Sequence, residues 1–177
     1  EEHPLEHLAL NIEAPGSETL RTIIDADVLD DVKHLALSGD VDDEDIVALA
    51  DAGGLEGLRT LSLSRTQAGD RALRAILAHP HTMSLHTLNL AATRISERGL
   101  RALAMAETLT SLRTLVLPML SFELVEMIAR TSWAKQLEHF GSSSPLDENT
   151  CARLLELEDL PDAISECVEE NLRYHAG

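Results

Sequence analysis

The phrase Leu58-Arg59-Thr60-Leu61-Ser62-Leu63 returns as Leu85-His86-Thr87-Leu88-Asn89-Leu90 and again as Leu112-Arg113-Thr114-Leu115-Val116-Leu117, each copy 27 residues after the last. Looser copies begin at Leu5, Val32 and Leu137, so six copies start at 5, 32, 58, 85, 112 and 137. A period of this length means one supersecondary unit used repeatedly, because a lone unit has nothing to bury its apolar face against and stacked copies share one core.

The unit can be read from its spacing. The last two leucines of Leu-x-x-Leu-x-Leu are two apart and point to one side of a strand. Downstream the period lengthens to three and four: Ile46, Val47, Leu49 and Ala50; Leu73, Ile76 and Leu77; Leu100, Leu103 and Ala104; Leu124, Val125, Ile128 and Ala129. That is the period of an amphipathic helix. Asp42 or Asp43, Ser96 with Glu97, and Ser121 with Glu123 stand where N-caps belong, and Gly53-Gly54 and Pro80 stand where helices stop. Each unit is therefore a strand followed by a helix, with strands near 5–10, 32–37, 58–63, 85–90, 112–117 and 137–141. A strand takes about 4.8 Å of lateral room and a helix about 10 Å, so side-by-side units must curve with the sheet inside. Six strands give about 24 Å of inner arc.

These residues resemble the leucine-rich-repeat family. The repeat length with a full helix is similar to its ribonuclease-inhibitor-like subclass, and Leu63-Ser64-Arg65-Thr66 with Leu90-Ala91-Ala92-Thr93-Arg94-Ile95-Ser96 looks like its bacterial members. The resemblance covers about residues 5–145. It implies an α/β solenoid, a curved parallel sheet inside and helices outside, that recognises proteins without catalysis as part of a larger bacterial protein. It also implies a polar residue closing each strand motif and bonding the turn backbone. Those positions hold Glu13, Asp40, Thr66, Thr93, Leu120 and Pro145; the last two cannot serve, so the turns after the fifth and sixth strands should be irregular. One group of similar repeats activates GTP hydrolysis, which makes a small-GTPase regulator the alternative, with Arg65 and Arg94 as the only candidates to reach a nucleotide.

Residues 147–177 leave the repeat. Cys151, Leu154, Leu155 and Leu157 fit one helix, and Ile164, Val168 and Leu172 fit another begun by Pro161. A last repeat needs its sheet edge and apolar face closed, so residues 1–146 read as repeats and 147–177 as a helical cap. No comparable cap precedes Leu5. The chain starts almost directly in a strand without an initiator Met, which reads as a piece of a longer protein whose upstream sequence covers that edge, or as a strand free to pair with another copy.

Composition narrows the function classes. Hydrophobic residues make up 44% but aromatics only 2%, so the core is built from Leu, Ala, Ile and Val in small repeated niches. No apolar run approaches the roughly 20 residues that span a bilayer, and Glu1-Glu2-His3-Pro4 is acidic where a secretory signal is basic, so no membrane partner is expected. Cys151 and Cys167 lack metal-pair spacing and read as reduced, structural residues, consistent with the cytoplasm. The net charge of −17 argues against nucleic acid, whose phosphates require Lys and Arg. It is uneven: residues 1–57 carry 16 acids and 2 bases, 58–119 carry 3 acids and 8 bases, and 120–177 carry 12 acids and 4 bases. The acidic ends either keep the chain soluble or recruit a basic partner.

Residues alternating with the strand leucines form three rows: His7, His34, Thr60, Thr87, Thr114, His139; Ala9, Ala36, Ser62, Asn89, Val116, Gly141; and Asn11, Ser38, Ser64, Ala91, Pro118, Ser143. These side chains are small and weakly polar, with no set of acid, base and nucleophile. Thr60, Ser62, Asn89, Thr114, Val116 and Met119 are the expected partner contacts; no catalytic, cofactor or metal residue is assigned. His7 beside His34 makes at most a two-ligand site. Asp42-Asp43-Glu44-Asp45 lacks calcium-loop spacing and suits a helix start. Cys151 and His139 have nothing to bring them together. Val116, Pro118, Met119, Leu120 and Phe122 form an apolar cluster, either covered by the cap or exposed for binding. Trp133 either packs a turn or marks an interface. Arg71, Arg74, Arg98 and Arg101 should line up on successive helices, paired with nearby acids or facing an acidic surface.

Overall fold

The computed structural model describes residues 5–13, 16–26 and 28–175. The opening Glu1-Glu2-His3-Pro4 lies outside them. Strands β1 (His7–Ile12), β2 (His34–Gly39), β3 (Thr60–Ser62), β4 (Thr87–Asn89), β5 (Thr114–Leu117) and β6 (His139–Ser142) form one parallel, open sheet in chain order. Helices α1 (Gly16–Asp25), α2 (Asp43–Asp51), α3 (Asp70–Ala78), α4 (Glu97–Ala104) and α5 (Phe122–Ala129) alternate with the strands, and α6 (Glu148–Leu155) and α7 (Asp162–His175) follow the last.

Strand register reproduces the sequence period. His7, His34, Thr60, Thr87, Thr114 and His139 align across neighbouring strands, as do Leu8, Leu35, Leu61, Leu88, Leu115 and Phe140. Each strand begins two residues inside its motif. The reason lies in the ladder: the second motif residue's carbonyl takes bonds from two amides of the next repeat, as Lys33 O does from Arg59 and Thr60 at 2.8 and 3.0 Å. Leu61, Leu88 and Leu115 are fully buried, whereas Leu8 is only partly covered at the β1 edge.

The helix-start readings hold, with an addition. Asp42 caps α2 in a reciprocal capping box with Asp45, Ser96 accepts from Gly99 N in α4, and Ser121 accepts from Leu124 N in α5. Gly69, the N-cap of α3, has no side chain to offer, and Asp43 of the preceding helix supplies the acceptor instead. After α2, Gly53 takes φ +82 and Gly54 N bonds Leu49 O at 2.9 Å, which uses carbonyls the helix leaves free.

The turns after the strands differ as their sequences differ. Gly39, Arg65 and Ala92 occupy equivalent places and all have left-handed backbone, at φ 89, 63 and 53. The equivalent Met119 and Ser144 do not. Thr66 and Thr93 donate to Leu63 O and Leu90 O at 2.8 Å, closing their turns. Asp40 does not fill this role through its carboxylate: Gly39 makes the turn, and the Asp40 amide donates to Ile12 O at 2.7 Å. In the irregular end, Ser143 bridges three repeats: its hydroxyl donates to Pro118 O at 3.0 Å and accepts from Ala92 N at 2.9 Å.

The two last helices share the core of the sheet. Leu146, Cys151, Leu154, Ile164, Cys167 and Val168 belong to the same buried cluster as the strand leucines. Asn171 accepts from Leu146 N, and His175 bonds Leu146 O at 2.6 Å, tying α7 to the chain leaving β6. Leu155, expected on the apolar side of α6, is 39% exposed.

Candidate functional site

The residues expected to contact a partner fall into adjoining positions. Thr60 and Thr114 flank Thr87 in one register row, and Ser62, Asn89 and Val116 occupy consecutive strands of the next. All five are half-buried, while Met119, just beyond β5, is 43% exposed. Two of the polar groups already have partners. Thr60 Oγ1 lies 2.9 Å from His34 Nδ1, and Asn89 Oδ1 accepts from Ala91 N at 3.0 Å.

A hollow of about 640 Å³ opens on the same sheet face, over β1 to β3. Its lining comes only from these strands and the turns after them, including Asn11, Ser38, Ser62, Ser64 and Arg65. Of the expected contacts only Ser62 belongs to it. The sequence carried a signal for the hollow: the smallest side chains, Ala9, Ala36 and Ser62, fall in one register row.

In the neighbouring row the His7 and His34 rings stack, with centroids 4.1 Å apart and planes 4° from parallel. Burial, followed by the charges of His7, Arg59 and Lys33, holds the His34 imidazole below its ordinary value, against the opposing pull of Glu6. Glu6 is ion-paired with Lys33, which lowers its own carboxyl. Among the described residues no group of three or more His, Cys, Asp or Glu could hold a metal ion.

The acidic run at α2 is occupied by structure. Asp42 and Asp45 form the capping box, Asp43 accepts from Gly69 N and Ala72 N at 2.6 and 3.0 Å, and Glu44 pairs with Arg71 at 3.5 Å. Burial raises the Asp45 carboxyl. Cys151 and Cys167 are free and buried, and burial pushes the Cys167 thiol up to about 11, where little thiolate forms. His139 is exposed on β6, with no hydrogen bond to Cys151.

The other surface features divide. Pro118 is buried, Val116, Leu120 and Phe122 are half-buried, and the Arg153 guanidinium of α6 sits 4.0 Å above the Phe122 ring, so the last helices cover part of the apolar cluster and leave Met119 out. Trp133 is 2% exposed and its Nε1 donates to Ala106 O at 2.9 Å, an internal role between successive repeats. In the arginine stripe, Arg71 and Arg101 pair with Glu44 and Glu97, and Arg74 donates to Asp70 O. Arg98 has no ion pair among the described residues. Arg65 and Arg94 are exposed on different turns.

No helix among the described residues is long and apolar enough to cross a membrane. No family model matches the chain, and no curated protein resembles it in sequence.

Proposed function

We propose that this chain is a leucine-rich-repeat solenoid of the ribonuclease-inhibitor-like kind, a non-catalytic recognition module of a larger bacterial cytoplasmic protein. The observation that carries this reading is the continuous sheet face: two residue rows, mostly small and weakly polar, cross six in-register strands, and the hollow on this face has no helix residue in its lining. A sheet normally buries both faces when its strands are parallel. One left without helices is suited to a partner, and a typical footprint of about 800 Å² per side fits an arc of this size.

Thr60, Ser62, Asn89, Thr114, Val116 and Met119 form the central contact, with Met119 the apolar anchor. The test is affinity capture with the whole chain from a lysate of its own organism, followed by identification and rebinding of the purified partner. Failure to capture any protein in repeated trials would count against the reading.

The β1 edge supports a second reading. This strand has six residues, is hydrogen-bonded on one side only among the described residues, and leaves Leu5 46% exposed, so it can add a strand from another copy. Sedimentation over a range of concentrations decides: a monomer throughout removes it.

A further inference from the structure

The charge of the sheet face runs against that of the chain. With 31 acids and 14 Lys and Arg overall, a basic side chain has many carboxylates to choose from. The three rows of the face contain no Asp or Glu. Arg59 and Arg65, which bracket β3 at its two ends, are both exposed and neither forms an ion pair among the described residues, whereas Lys33 and Arg113 pair with Glu6 and Glu138. Arg59 also lies close enough to His34 to oppose its protonation. Arg65 lines the hollow from a left-handed turn.

The lining narrows the class of occupant. Small-molecule sites are walled mostly by apolar and aromatic side chains; this one is walled by Ala, Leu, Ser, Asn, Gly and Arg65 with no aromatic ring. A polypeptide suits it better, because main chain can lie close to small side chains and bond to Ser and Asn. The β1 and β2 side of the hollow belongs to the acidic segment 1–57, but charges farther than about 8 Å are screened at physiological salt, so the groups beside the hollow decide where a carboxylate can sit. Glu13 and Asp40, on the turns after β1 and β2, restrict a carboxylate to the Arg65 side.

We propose that the face across β2, β3 and β4 docks an extended acidic segment of a partner protein, with one of its carboxylates paired to Arg65. The inference rests on the recognition reading above and specifies the partner's chemistry. Charge-assisted pairing of this kind gives specificity and a salt-dependent on-rate more than raw affinity.

The whole ¹⁵N-labelled chain is titrated with a synthetic peptide of Gly and Ser bearing evenly spaced Glu, and with the same peptide in which Gln replaces every Glu. The expected result is saturable shifts at the Ser38, Ser62, Ser64 and Arg65 amides with the Glu peptide alone. Arg65→Gln should weaken binding by about two- to fivefold, the size of one lost exposed ion pair, and added salt should weaken it in the parent chain. Equal shifts with the Gln peptide, shifts confined to Arg74 and Arg98 on the helices, no shifts, or unchanged binding by Arg65→Gln would each overturn the proposal. A natural partner held equally by the parent chain and Arg65→Gln would leave the recognition module standing and remove this acidic site alone.

Discussion

Asp43 caps a helix to which it does not belong: its Oδ1 accepts the amide of Gly69, the N-cap of α3, at 2.6 Å, from the first turn of α2. One repeat later Asp70 accepts both the amide and the hydroxyl of Ser96 at 2.8 and 2.7 Å, and Glu97 accepts from Ser121 Oγ at 3.3 Å. Helix-start acids usually serve their own dipole. Here they also join each helix to the next, which couples the repeats through more than the apolar core.

Replacing Asp70 with Ala should therefore cost about 1–2 kcal/mol, the range of a lost N-cap, although Asp70 precedes α4 by a full repeat. Gly99 shows how tightly the carboxylate is seated: an added Cβ would lie 2.4 Å from Asp70 Oδ1. Gly99→Ala should destabilise the parent more than it destabilises Asp70→Ala, and a double-mutant cycle in urea measures that coupling. Additive effects would show that the two sites are independent.

Leu88→Ala should cost about 2–5 kcal/mol, because Leu88 is fully buried in the central leucine row and little can collapse into its niche. Loss of the denaturant midpoint with an unaltered slope is the expected signature.

The left-handed turns make a prediction of opposite sign. Ala92 holds φ 53 and is exposed, so Ala92→Gly relieves backbone strain of about 1 kcal/mol without removing a packed side chain. Thermal unfolding should shift upward. Met119→Gly, at the equivalent place without a left-handed backbone, should shift it downward.

His34 gives the stability a pH dependence. Its folded-state value lies below the ordinary 6.5, so the unfolded chain takes up the proton first as pH falls. The neutral ring's contribution is complete above 6.5 and is lost as pH drops from there towards the folded value. Urea unfolding at pH 7.5 and 5.5 should show a larger fall for the parent than for His34→Gln; equal falls would contradict the assignment.

The repeat phrases made the architecture legible because a leucine two residues from another leaves few alternatives to a strand, and the offsets of Leu100, Leu103 and Ala104 leave few to a helix. Asp42, Ser96 and Ser121 were readable as caps since their acceptors act within one turn. The inter-repeat role of Asp43 was not, because it spans 26 residues and depends on strand register. The hollow is not legible in the sequence for a related reason: Ala9, Ala36 and Ser62 mean little singly and make a concavity only when aligned. The apolar run from Val116 to Phe122 is conspicuous in the sequence, yet the last helices cover part of it, as Arg153 over Phe122 shows.

The most direct measurement is the affinity of the purified, identified partner for the parent chain and for the Val116→Asp, Met119→Asp double variant, with circular dichroism recorded on both. The account predicts that binding is abolished while the helical spectrum is unchanged. Unchanged affinity in a folded double variant would contradict recognition through this part of the sheet face.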